Sequence, residues 1–140
     1  MTRVEHLNIT VPDVDAALEF LSVVAPDFKV RKDVKAPNKH RWVHVGNEQC
    51  YFALQEPHLD STSPSDPQNT YKNYGINHIG LVVDDIKVVE ERLVSKGYKR
   101  GIVAPEERYR KRANFFDSAG LEWELTEYWT TDLDDMYLYE

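Results

Sequence analysis

Two histidines occupy equivalent places in a repeated segment of this 140-residue chain. His6 lies within residues 4–14 and His78 within residues 76–86, and the two segments align at an offset of 72 residues. Each copy has a histidine in the middle of an apolar strand and then an aspartate that can open a helix. Because imidazole nitrogens are common ligands of divalent metals, the repeat supplies the first two candidates for a metal site.

The third candidate ligand is a carboxylate near the end of the chain. Residues 121–126 alternate between apolar and polar side chains, with Glu122 and Glu124 on the polar face. When the apolar face packs on a helix layer, both carboxylates point to the opposite side of the sheet, and His6 and His78 do the same. Three protein ligands leave positions open at a metal for substrate or oxygen, which is what catalysis requires.

The elements that position these residues form two similar halves. The pattern predicts a β-α-β-β-β module in residues 1–57, a linker loop in 58–74, a second module in 75–128 and an acidic tail in 129–140. The chain is therefore expected to be an α+β protein. Its size suits one compact unit in which the two half-size modules share a core or a dimer partner.

The hairpins that close the two halves also align, at an offset of 71 residues. Residues 41–44 match 112–115, and residues 50–56 match 121–127. In the second half a short strand is expected near 99–103, ahead of that hairpin.

Composition excludes several classes of function. The net charge of −7 argues against a nucleic-acid surface, and no apolar run approaches the length of a membrane span. No signal peptide is visible, and a single cysteine cannot form an intramolecular disulfide. A cytoplasmic location is the expectation.

Residues 76–83 and 114–125 resemble the vicinal oxygen chelate superfamily, which includes glyoxalase I, methylmalonyl-CoA epimerase, fosfomycin-resistance transferases, extradiol dioxygenases and bleomycin-binding proteins. The resemblance spans about residues 3–128. It implies that the sheets of the two modules curl around one cavity, in which His6, His78 and Glu124 bind a divalent metal. Because two chains often complete each cavity in small members, a homodimer is expected.

Ala53 departs from the pattern of part of that superfamily. Glyoxalase I and the epimerases have Glu or Gln at this position, and Gln55 lies two residues on, about 7 Å along a strand. The departure favours a 2-His-1-carboxylate centre, typical of Fe2+, although Zn2+, Mn2+ or Ni2+ would also suit it. A dioxygenase acting on a small oxygen-rich molecule is the first hypothesis. A glyoxalase-like lyase or isomerase and a non-catalytic, ligand-sequestering protein are the alternatives.

Two further titratable residues are candidates for catalysis. Glu122 shares the face of Glu124, where it would act as a general base or orient a histidine. The alternative, that Glu122 is a rim residue near the turn without a catalytic role, is equally consistent with the sequence. His44 would line the pocket as an acid–base group, although a partly buried structural histidine is the better explanation.

Four residues are candidates for contacts with substrate. Tyr51 and Gln55 flank Ala53 on the inward face. Arg112 and Asn114 lie on the same face as Glu124 if residue 116 pairs with residue 122. Arg112 also belongs to the basic cluster within residues 108–112. That cluster would bind a carboxylate or phosphate of the substrate, or it is an ordinary solvated strand entry.

Overall fold

The structure is a computed structural model that describes residues 1–60 and 75–139. The chain divides into two compact units, Met1–Pro67 and Gln68–Glu140. Residues 61–74 of the predicted linker lie outside the described residues. Within the described ranges, every helix is too short or too polar to cross a membrane.

The first unit contains a four-stranded sheet within residues 1–60, with the strand order β1-β4-β3-β2. β1 runs parallel to β4, and the other neighbours are antiparallel. The elements are β1 (His6–Thr10), α1 (Val14–Val24), β2 (Lys29–Val34), β3 (Trp42–Gly46) and β4 (Tyr51–Gln55). The core of this unit includes Phe20 and Leu21 of α1 with Val43 and Leu54 of the sheet.

The second unit has a three-stranded sheet within residues 75–139, in the order β5-β7-β6. β5 is parallel to β7, as β1 is to β4, and β6 is antiparallel to β7. The elements are β5 (His78–Val82), α2 (Ile86–Ser95), β6 (Arg110–Phe116), β7 (Glu122–Tyr128) and α3 (Leu133–Met136). The predicted α+β fold of two repeated modules is confirmed.

The two long helices begin as the sequence predicts. Asp13 and Asp85 are their N-caps, and each carboxylate accepts a hydrogen bond from a backbone N–H in the first turn. α2 ends just before Gly97, whose positive φ of 84° suits the residue that follows a helix.

A second capping contact is also repeated in the two units. Glu56 follows β4 and its carboxylate accepts from Val14 N at 3.3 Å, and Glu127 near the end of β7 accepts from Ile86 N at 2.8 Å. Both contacts place a negative charge at the positive end of a helix, which is stabilising. The repeat therefore fixes how each helix is attached to the last strand of its module.

The strand predicted near 99–103 is reduced to an isolated bridge between Arg100 and Phe115. Gly101 N still donates to Asn114 O at 2.7 Å, but Ile102 N donates to the carboxylate of Glu122 at 3.2 Å. Because this backbone group bonds to a side chain and not to β6, the ladder ends there.

The two hairpins differ by one residue, so the alignment of residues 41–44 with 112–115 is wrong. His44 pairs with Ala53 and Asn114 pairs with Glu124, which makes His44 the equivalent of Asn114. The connection in the second hairpin, residues 117–121, is one residue longer than that of residues 47–50. Residue 116 pairs with residue 122, which is the condition on which Arg112 and Asn114 were placed on the face of Glu124.

Asp117 organises the turn of the second hairpin. Its carboxylate accepts hydrogen bonds from Ala119 N at 2.9 Å, Leu121 N at 3.0 Å and Trp123 Nε1 at 3.0 Å. The residue is only 8% exposed, so its loss would leave buried donors without an acceptor. The register of β6 on β7, and with it the position of Glu124, depends on this turn.

We expect Asp117→Ala to lower the free energy of unfolding by about 2–4 kcal/mol, because several hydrogen bonds to a buried carboxylate are lost together. Urea denaturation measures the difference. The exposed Asp84 in the same unit is the control, and Asp84→Ala is expected to change stability by less than about 0.5 kcal/mol. Equal effects of the two substitutions would show that the turn does not depend on Asp117.

Candidate functional site

His78 and Glu124 lie side by side on adjacent strands of the second unit. The parallel register pairs His78 with Glu122 and Gly80 with Glu124, so the two side chains share one face of the sheet. The distance between His78 Nε2 and Glu124 Oε2 is 3.8 Å, and the side chains are 36% and 20% exposed. Two donors on one zinc-sized ion lie about 3 Å apart, so a small side-chain movement would let both bind the same ion.

His6 occupies the corresponding place in the first unit, on β1. Its ring stacks on Tyr51, with centroids 4.8 Å apart and an angle of 18° between the planes. Its Nδ1 lies 3.1 Å from Glu5 Oε2. A metal-binding histidine commonly donates one ring N–H to a carboxylate, which leaves the other nitrogen as the ligand atom. Glu5 is a residue that sequence reasoning missed, although it directly precedes His6.

The described residues contain no group of three or more His, Cys, Asp or Glu side chains that could hold a metal. His78 and Glu124 are brought together within the second unit, and His6 belongs to the first. That the three residues share one ion therefore stays a prediction.

Glu122 and Asn114 are buried, at 3% and 5% exposure. Asn114 Nδ2 donates to Glu122 Oε1 at 2.9 Å, and the same oxygen accepts from Ile102 N. A Cβ atom on Gly101 would lie 2.6 Å from this oxygen, so any larger residue there would force the carboxylate to move. These contacts explain how Glu122 holds the 100–103 segment, and a role in proton transfer stays a prediction.

The face of β4 that carries Ala53 is lined by aromatic rings. The ring of Tyr51 lies 4.9 Å from that of His44, which lies 5.0 Å from Trp42. Gln55 pairs with Trp42 in the register, on the same face. Trp42 was not singled out from the sequence, although it is two residues from His44 in the same strand and therefore shares its face.

Arg112 extends from β6 toward Glu124, as predicted for a residue on that face. Its Nη1 lies 3.5 Å from Glu124 Oε2, and its Nε donates to Glu107 Oε2 at 2.7 Å. Arg110 Nη2 donates to the other oxygen of Glu107 at 2.6 Å. Sequence reasoning missed Glu107, which lies in a loop without a recognisable motif.

The two arginines keep Glu107 ionised. The hydrogen bond from Arg110 lowers the pKa of the Glu107 carboxyl below its ordinary value; burial opposes this shift and the hydrogen bond from Arg112 adds to it. Beside this cluster is a cavity of about 380 Å³, lined by Ala104, Pro105, Glu106, Glu107, Arg110, Lys111, Arg112 and Trp129.

The chain belongs to the glyoxalase/bleomycin resistance protein/dioxygenase superfamily, because the sequence model of that superfamily matches residues 5–124. No curated protein sequence matches the chain significantly.

Solved structures show the same fold. A domain of this superfamily from Frankia sp. EAN1pec is 20% identical, has a TM-score of 0.72, and the match covers 91% of this chain and 98% of that one. A glyoxalase family protein from Bacillus cereus is 16% identical with a TM-score of 0.73, covering 93% and 96% of the two chains. The fosfomycin resistance protein FosX from Mesorhizobium loti is 17% identical with a TM-score of 0.66, and 99% of each chain is covered.

We expect Glu107→Gln to lower the free energy of unfolding by about 1–3 kcal/mol at neutral pH, because two charge-assisted hydrogen bonds are weakened. A carboxyl with a lowered pKa in the folded state stabilises the fold above its unfolded pKa, near 4.5. The difference between wild type and Glu107→Gln should therefore shrink as the pH falls through 4.5 toward the lowered value.

Urea denaturation over this pH range measures the difference. Glu106→Gln, at the exposed neighbouring position, is the control and should differ little from wild type at any pH. A difference for Glu107→Gln that stays constant from neutral to acidic pH would contradict the assigned ion pairs.

Proposed function

We propose that the protein is a metal-dependent enzyme that acts on a small oxygen-rich substrate through a 2-His-1-carboxylate centre of His6, His78 and Glu124. The observation that supports it most is the 3.8 Å approach of His78 Nε2 to Glu124 Oε2 on neighbouring strands. Fe2+ is the ion we expect first, with Zn2+, Mn2+ and Ni2+ as alternatives.

His6 supports the proposal from the first unit. It holds the repeat position equivalent to His78, and its contact with Glu5 leaves Nε2 as the ligand nitrogen. We propose that this nitrogen completes the ligand set, supplied by the same chain or by a second copy in a homodimer. A cytoplasmic location is also part of the proposal.

A bound divalent metal would act as a Lewis acid that polarises a substrate oxygen. The chain's own residues would hold that metal, orient its ligands and contact the substrate. Glu124 and His78 would contribute one negative charge and two metal-ligating atoms. Tyr51 stacks on His6 and restricts its ring to one orientation. Tyr51, His44 and Gln55 would contact the substrate beside Ala53.

A dioxygenase is favoured over a lyase or isomerase by the residue at the fourth ligand position. Ala53 lies where Glu124 lies in the repeat, and it offers no donor atom. Proton transfer in a lyase or isomerase would depend on Glu122, whose carboxylate already holds Asn114 and Ile102 N. The aromatic face of Trp42, His44 and Tyr51 favours a third function, the binding of a flat ligand without turnover.

Metal analysis of anaerobically purified protein, followed by oxygen uptake with a panel of catechols, tests the proposal. Stoichiometric iron with oxygen uptake would support the dioxygenase. Zinc or nickel with turnover of the methylglyoxal–glutathione adduct would select the lyase instead. Protein without stoichiometric metal that still binds ligands would overturn the enzyme proposal.

We expect His78→Ala and Glu124→Gln each to lower the affinity for the bound divalent ion by about 100-fold or more, because each removes a ligand atom. Titration calorimetry with the identified ion measures this. The exposed His58→Ala and Glu48→Gln are matched controls and should bind like wild type. Unchanged affinity in His78→Ala would remove this residue from the ligand set.

A further inference from the structure

The cavity beside β6 has features of a ligand site that the metal proposal does not use. We call it the arginine pocket, formed by residues 104–107, Arg110, Arg112 and Trp129. We propose that it binds an oxyanion, a carboxylate or phosphonate, attached to an aromatic group. Resting on the proposed function, this would be the anionic end of the substrate.

The first observation is a pair of guanidinium groups in a sheltered place. Arg110 and Arg112 are 12% and 23% exposed, and both bond to the single carboxylate of Glu107, which is 8% exposed. Lys111 also lines the pocket, but its ammonium is held by Glu90 at 2.6 Å. The other acidic wall residue, Glu106, is exposed, so water screens its charge. Arg112 also approaches Glu124 at 3.5 Å, so the two sheltered guanidinium groups face two carboxylates. The contact to Glu124 is the longest of these, and an incoming anion can replace it.

Glu107 also orients the two guanidinium groups. Its two oxygens bond to different arginines, which fixes both forks against the loop. The contacts of Arg112 to Glu107 and Glu124 engage Nε and Nη1, and the second is long at 3.5 Å. A guanidinium carries five N–H donors, so Arg112 retains donors for the two oxygens of an anion.

The second observation is an exposed aromatic wall. Trp129 lines the same cavity although it is 58% exposed. Its backbone N–H donates to Tyr109 O at 2.8 Å, which fixes the residue where β7 ends. An indole face beside guanidinium groups suits a flat aromatic group that bears an anion. The volume of about 380 Å³ lies within the range of small-molecule sites.

The third observation connects the pocket to the proposed metal ligands. Arg112 Nη1 and His78 Nε2 approach the same oxygen of Glu124, at 3.5 and 3.8 Å. An anion bound to Arg112 would therefore lie close to Glu124, one of the proposed metal ligands. The remainder of the ligand would then extend toward Glu124.

Calorimetry tests the pocket by measuring how metal-free protein binds benzoate, phenylphosphonate and the uncharged benzamide. We expect benzoate or phenylphosphonate to bind at least about 10-fold more tightly than benzamide, since only the anions pair with a guanidinium. The anion that binds more tightly indicates whether the substrate carries a carboxylate or a phosphonate. Equal affinity for all three compounds would overturn the proposal.

Arg112→Gln should weaken binding of the preferred anion by about 10-fold or more and leave benzamide unchanged. Arg92→Gln removes the same charge from an exposed site on α2 and is the matched control. If Arg112→Gln fails to fold, Trp129→Ala at its exposed position serves instead and should weaken all three compounds together. Wild-type affinities in the variant measured would overturn the proposal. Because the protein is metal-free, failure here is distinct from failure of the metal centre.

Discussion

The parallel pairing of the first strand of each module with its last strand is the constraint on which the rest of the structure depends. In the second unit it places His78 opposite Glu122 and Gly80 opposite Glu124, so an imidazole and a carboxylate share one face. A shift of one residue would turn Glu124 toward the buried face that Trp123 and Leu125 now occupy. The apolar face of β7 and the contact of Glu127 with α2 hold this strand in place, and the Asp117 turn sets its register on β6.

The two modules keep the scaffold and differ in the chemistry they present. Both keep the aspartate N-cap and the glutamate that binds the first N–H of the helix. On the strand faces that carry His6 and His78, Tyr51 corresponds to Glu122 and Ala53 to Glu124. The first unit therefore presents aromatic rings around a histidine, and the second presents carboxylates, an amide and arginines. One half is suited to hold a ring, and the other to hold charge.

Strand and helix positions could be predicted from the sequence because each follows from local periodicity and a capping residue. The face of Glu124 was also predictable, since the apolar residues around it had to pack inward. The reduced strand at 99–103 was not predictable, because it depends on a hydrogen bond from Ile102 to a side chain twenty positions further along. The one-residue difference between the hairpins was missed because the register depends on turn length, which the alignment of residues 41–44 ignored.

Contacts made by loop residues were the least accessible to sequence reasoning. Glu107 orders two arginines, and Trp129 faces the same cavity, but neither belongs to a periodic pattern. Arg112 and Asn114 were assigned to the face of Glu124 only on the condition of a 116–122 pairing, which the structure satisfies. Residues in strands could thus be placed by parity, whereas loop partners required the fold.

The number of imidazole nitrogens on a bound paramagnetic ion is the most direct test of the proposed metal centre. Pulsed electron paramagnetic resonance of the protein loaded with Mn2+ reports directly coordinated nitrogens. We expect two histidine nitrogens, one of which disappears in His6→Ala and the other in His78→Ala. A spectrum without coordinated nitrogen, or one that neither substitution changes, would contradict the proposed 2-His-1-carboxylate centre.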